Sequence, residues 1–180
     1  STAIGVDPHN DDFSFDLSTL RYGKICILAD ADVDGSHIQV LLLTLFLKHF
    51  PSLIVKKHIY ISRPPLFRID SPKKKKKNYD EKIYVLDEKE LKLKVDKLKD
   101  DGFDEEELSI SRFKGLGEMN AEQLWETTLN PATRKLMMVS IEDENLKKIK
   151  KKFNLLMARG ESSSRRSWLE KNGDDANLDY

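Results

Sequence analysis

The sequence predicts an α/β fold, and three neighbouring features carry that prediction. Lys24 to Ala29, KICILA, is an unbroken apolar run rich in β-branched residues, the pattern of a strand buried on both faces. Ser36 to Phe50 is apolar almost all round, which predicts a largely buried helix closed by Pro51. His58 to Ser62, HIYIS, reads as the next strand. Strand, helix and strand over about forty residues make a βαβ unit with a right-handed crossover.

The other elements follow in order. Residues 1–21 are polar and acidic, with DPHNDD as turn or linker, and are expected to be the tail of something upstream. RPPLFRID and KIYVL read as two short strands around SPKKKKKNYD, whose lysine run Lys73–Lys77 is a solvated loop or a nonspecific phosphate contact. Asp87 to Leu98 has helical spacing, with Leu91, Val95 and Leu98 on one face. Leu108 to Phe113 is strand-like, and KGLGEMN is a glycine-containing turn into a helix begun by Glu118 or Asn120, with Leu124 and Trp125 inward. After a turn at Asn130-Pro131 comes a short strand-like run. Glu142 to Ala158 is a basic amphipathic helix with Leu146, Ile149, Phe153 and Leu156 as its apolar stripe. The expected organisation is a linker over 1–21, a domain over 22–140 and a helical tail over 141–180.

The 31 basic residues are matched by 31 acidic ones, so a nucleic-acid surface, if present, is local. Cys26 is the single cysteine, which excludes an intramolecular disulfide and fits a reducing, cytoplasmic setting. No signal peptide is apparent, and the longest apolar run, Val40 to Leu47, is too short for a bilayer, so no membrane partner is expected.

The chemistry concentrates in Ala29 to His37, ADADVDGSH. Three alternating carboxylates before a glycine match the first half of an EF-hand loop. That reading fails, because Leu41 stands at loop position 12, where a bidentate glutamate is required, and a buried strand precedes the loop instead of a helix. Asp30 and Asp32 instead follow a strand's C-terminal end, where open α/β sheets place ligands. Crowded carboxylates repel unless solvent screens them or a cation offsets them, and oxygen-only donors suit Mg²⁺ or Mn²⁺. The bland alternative has Asp34 capping the helix and the other two solvated. His37 lies in the helix's first turn, sharing a polar stripe with Thr44 and Lys48 that could meet a polyanion or water.

Three long stretches carry a resemblance: LRYGKICILADADVDGSHIQVLLLTLFLKHF, ISRPPLFRI and RFKGLGEMNAEQLWETTLNPATRKL. They closely resemble the B subunits of bacterial type IIA topoisomerases, over about Ile4 to Trp168. IGVDP, RYGKICILADAD and RRSWLEKNGD are most similar to the topoisomerase IV branch, with gyrase next, and the large insertion of some gyrase B subunits is missing. The resemblance implies a TOPRIM-type parallel sheet flanked by helices, lacking its N-terminal strand, with a helical C-terminal tail. It implies that Asp30 and Asp32 act in metal-assisted catalysis, with Asp34 as a further ligand or behind them, and that the metal is Mg²⁺ or Mn²⁺. It assigns DNA contacts to His37 and Arg165, and Lys114 in FKGLGEM is a phosphate neighbour. The implied assembly is an A2B2 heterotetramer acting on double-stranded DNA, with the nucleophilic tyrosine on the A subunit and ATP bound by a domain outside this chain. The family's EGDS glutamate has no counterpart here, so the chain is expected to be a fragment that does not cleave DNA alone. Tyr22, Tyr60, Tyr79, Tyr84 and Tyr180 lack a nucleophile's context, and loss of His37 or Arg165 is expected to weaken DNA binding at little cost in stability.

Overall fold

In the computed structural model, which describes residues 1–8, 16–72 and 82–173, the first strand is β1, Ile25–Ile27. Helix α1, Val33–His49, follows, then α2, Pro51–Val55, and β2, Ile59–Ser62. β1 and β2 are sheet neighbours, so the expected strand–helix–strand unit is present. Pro51 ends α1 and opens α2, where a residue without an N–H costs no helical hydrogen bond.

Burial of α1 departs from expectation. Phe46 and Leu47 are buried, but Ile38, Val40, Leu41 and Leu45 are exposed and Val33 is 85% exposed. An apolar sequence sets what a helix is able to bury, while burial itself needs a neighbour on each side.

Four more strands complete two small sheets: β3 (Phe67–Asp70), β4 (Lys82–Val85), β5 (Ser109–Arg112) and β6 (Leu136–Met138). The first sheet has the order β1-β2-β6, with Tyr60 opposite Met138 in an antiparallel pair. The second has the order β4-β3-β5, with Phe67 opposite Val85 on one side and Arg112 on the other, both antiparallel. The mixed α/β class stands, but in place of one parallel sheet there are two three-stranded sheets with these antiparallel pairings. Antiparallel neighbours need no helical crossover, which suits β3 and β4, consecutive strands with no helix between them among the described residues.

The chain divides into two compact units, one formed by Ser1–Lys24, Leu41–Ile59 and Val139–Tyr180, the other by Ile25–Val40 and Tyr60–Met138. In the second unit β3 alternates, sending Phe67 and Ile69 into the core and pairing Arg68 with Asp70 at 2.7 Å outside it. Val85, Val95, Leu98, Phe103 and Leu108 close that core. Helix α3, Glu88–Asp100, starts where the Asp87 carboxylate accepts the Glu90 N–H at 2.8 Å. Helix α4, Ala121–Leu124, starts at Asn120, whose side chain and that of Gln123 exchange bonds with each other's N–H.

α4 runs into a wider π turn over Trp125–Leu129, where Thr127 and Thr128 take the buried positions. Trp125, expected inward, is 52% exposed. In the first unit Leu53, Ile54 and Leu146 are fully buried, and the Phe46 and Phe50 rings lie 6.1 Å apart. Helices α5, Asp143–Met157, and α6, Ser162–Asn172, form the C-terminal part. The lysine run Lys73–Lys77 lies outside the described residues. Among the described residues no helix is long and apolar enough to cross a membrane.

Candidate metal and nucleic-acid site

The loop from β1 to α1 is built around Asp30. Its backbone carbonyl lies against Gly35, where an added Cβ would collide with the Asp30 oxygen. A β-carbon there would force the backbone apart, so Gly35 is needed for close approach and not for a special dihedral angle. The Asp30 carboxylate is half-buried, and its Oδ1 accepts the Leu116 N–H at 2.8 Å. Gly115 packs on the same carboxylate: a Cβ at that position would lie 2.9 Å from Oδ2. The glycine of KGLGEM thus lets a backbone donor reach a carboxylate 86 residues away in sequence.

Asp32 and Asp34 have different surroundings. α1 begins at Val33, and Asp32 Oδ1 accepts the Gly35 N–H at 2.6 Å, while Ser36 Oγ donates to the Asp32 carbonyl at 2.9 Å. Asp32 therefore caps the helix, a part that sequence alone assigns to Asp34, because the residue before the first helical position reaches the third N–H. Asp34 sits exposed in the first turn of α1, where the helix dipole favours a carboxylate. His37 follows one turn later and is also exposed.

The opposite side of the loop is made by the turn after β5. Lys114 is exposed, its side chain open to solvent, and its N–H donates to Glu118 Oε2 at 2.8 Å. The turn carries both a cation and the N–H that orients Asp30. Beside Asp30 lies a cavity of about 270 Å³, lined among others by Gln39, Ser62, Arg63 and Asp87. Ser62 is 3% exposed and its Oγ makes no hydrogen bond among the described residues.

These residues fit a hydrated divalent cation as part of a larger donor set. The Leu116 and Gly35 amides use one oxygen of Asp30 and one of Asp32, and hard cations such as Mg²⁺ take one or two carboxylates and keep several waters. The cavity offers space for such waters. Among the described residues no three His, Cys, Asp or Glu side chains converge closely enough to hold an ion unaided.

Arg165 belongs to the other unit and has structural partners. Its guanidinium donates to the Leu156 carbonyl and, at 3.1 Å, to the Ala158 carbonyl, the last acceptors of α5. It closes the helix C-terminus, where carbonyls lack intrahelical donors and a cation meets the negative end of the dipole. Tyr84 donates to Glu126 Oε2 at 3.2 Å. The orienting N–H of Leu116 escapes sequence reasoning. Its available signal is the glycine pair of KGLGEM, which reads as a tight turn.

Residues 105–170 match the family described as DNA gyrase B subunit, carboxyl terminus. The chain is 47% identical over 179 residues to the B subunit of DNA topoisomerase 4 from Salmonella typhimurium, covering 99% of this chain and 26% of that protein. It is 46% identical over 179 residues to the B subunit of DNA topoisomerase 4 from Escherichia coli, with the same coverage of 99% and 26%. Against the B subunit of DNA gyrase from Thermotoga maritima it is 45% identical over 169 residues, 94% of this chain and 24% of that protein. The chain thus spans about a quarter of the length of the curated relatives it matches.

Proposed function

We propose that this chain, which is similar to bacterial topoisomerase IV and gyrase B subunits, supplies the metal- and DNA-binding part of a type II topoisomerase. The activity is double-strand cleavage and religation, performed by a complex in which a topoisomerase IV A subunit contributes the tyrosine. The assembly is A2B2, its substrate is duplex DNA, and ATP is bound by a domain outside this chain. Its setting is the bacterial cytoplasm. Residues 22–140 carry the site and residues 141–180 the tail toward partner or DNA.

The observation that carries this reading is the fixed Asp30 carboxylate, held at a strand end by the Leu116 N–H and packed against Gly115. A carboxylate is held this firmly where its direction matters, because a misplacement of about 1 Å at a reacting centre costs on the order of 10²-fold in rate. Asp30 and Asp32 would hold Mg²⁺, or Mn²⁺ by the same oxygen preference, with Asp34 behind them. The bound ion would supply charge stabilisation at the transferring phosphate and the leaving oxygen. His37 and Lys114 would contact DNA phosphates from either side of the loop, positioning the strand without reading its sequence. Arg165 would act near DNA through its placement of α6.

The test is Asp30→Ala together with Asp32→Ala in the intact enzyme. DNA cleavage should fall by on the order of 10²–10³-fold, the loss typical when a preorganised electrostatic group is removed. Cleavage and Mg²⁺ dependence unchanged from the parent enzyme would sink the metal reading, leaving an assembly module for the A subunit. Decatenation activity of the intact complex supports the topoisomerase IV branch, and ATP-dependent negative supercoiling supports gyrase.

A further inference from the structure

In a chain with no net charge, residues 147–172 hold nine basic residues against two acidic ones. The concentration is sharpest on α5. Lys147, Lys148, Lys151 and Lys152 are all exposed. At about 100° per residue they fan over an arc of roughly 140°, opposite Leu146, Ile149 and Phe153. Their backbones span little more than one helical turn. Leu146 is 0% exposed and Ile149 and Phe153 are half-buried, so the apolar face is already used within the chain. What α5 has left to offer is the lysine face.

We infer that the lysine face of α5 is a track for the sugar-phosphate backbone of duplex DNA, separate from the acidic loop. Four ammonium groups splayed over such an arc cannot converge on one compact anion. They match a row of negative charge, and duplex DNA carries about one charge per 1.7 Å of axis. A protein partner would need an anchor of the kind that dominates such interfaces, an aromatic or an arginine in a dry pocket, and the exposed side chains on this face are the four lysines and, one turn before them, Glu144. The track is held in place at two points: Arg165 closes the end of α5, and Lys152 Nζ lies 5.8 Å from the centre of the Trp168 ring on α6. Contacts of this type fix no sequence and are strongly salt-dependent.

The inference rests on the reading that the assembled protein binds DNA, and the experiment separates the two. The full A2B2 complex carrying Lys147→Ala, Lys148→Ala, Lys151→Ala and Lys152→Ala is titrated with long linear duplex at several salt concentrations, beside the parent complex and a fourfold Lys→Arg variant. The slope of log affinity against log salt should shrink by up to about 3.6 per chain in the alanine variant, at roughly 0.9 per lost phosphate contact. The arginine variant should keep the parent slope. Cleavage at saturating DNA and low salt should persist, since Asp30 and Asp32 are untouched. A slope equal to that of the parent overturns the track, and so does a slope change accompanied by loss of the A subunit, which makes the face a protein contact. If the parent complex itself fails to bind DNA, the underlying reading has failed, whatever the lysines do.

Discussion

The acidic loop and the lysine face of α5, both proposed as surfaces for a phosphate polymer, are built on opposite plans. The loop is made by backbone: an amide N–H directs Asp30, another is capped by Asp32, and two glycines allow the approach. The lysine face is made by side chains alone, reaching out from a regular helix with Lys152 resting near the Trp168 ring. The first plan fixes direction and tolerates little change. The second supplies charge, and loss of any one member leaves the others in place. A proposed site for chemistry and a proposed site for attraction therefore differ in how they should fail.

Gly115→Ala tests that difference most severely. The new methyl would lie 2.9 Å from Asp30 Oδ2, the far end of a side chain, so the carboxylate can swing away while the backbone stays. We expect cleavage to fall by on the order of 10²-fold, with a higher Mg²⁺ requirement. The unfolding temperature should scarcely move. A loss of activity that tracks a loss of stability would show that Gly115 serves packing and not the direction of Asp30.

A middle-sized effect is expected at Arg165, which closes the end of α5. Removing its guanidinium leaves the Leu156 and Ala158 carbonyls without their donor, and hydrogen bonds to charged groups are worth about 1.5–3 kcal/mol. Arg165→Ala should lower the thermal midpoint by several degrees, and Arg165→Lys should recover only part, since an ammonium cannot reproduce the fork. This differs from the sequence expectation of a stability-neutral DNA contact. An unchanged midpoint with a reduced salt slope for DNA would restore that expectation.

The smallest effect serves as a control within the loop's own unit. Burial, then the hydrogen bond to Glu126, raises the Tyr84 phenol above its ordinary 10.0. The folded protein therefore keeps a proton that the unfolded chain gives up. The stabilisation is complete below pH 10 and is lost as pH climbs above it. Tyr84→Phe should cost no more than about 1 kcal/mol at neutral pH and flatten the alkaline fall in stability, followed by denaturant unfolding. Cleavage should be unchanged.

Much of this is legible because local chemistry leaves marks in the sequence. The β-branched run before Asp30, Asp87 as a helix cap and the Asn120 start of α4 are short-range signals, and each element stands within a few residues of its expected place. What escapes depends on neighbours distant along the chain. Nothing local tells that Leu116 will donate to Asp30. The apolar ring of α1 predicts burial, yet periodicity records which faces are apolar and not what lies against them. Arg165 reads as surface from its company of serines and a second arginine, while its acceptors are the carbonyls of a preceding helix.

The contact between Gly35 and the Asp30 carbonyl also works as a ruler. It counts five residues along the loop, and the same count places Asp32 at the cap and His37 one turn on. One residue more or fewer would turn α1 by about 100° beneath the loop and bring another side chain to the Asp30 carbonyl. Substitutions at Ala31 or Val33, both exposed, leave that spacing intact. Libraries of functional variants should therefore contain many spellings of this loop and a single length.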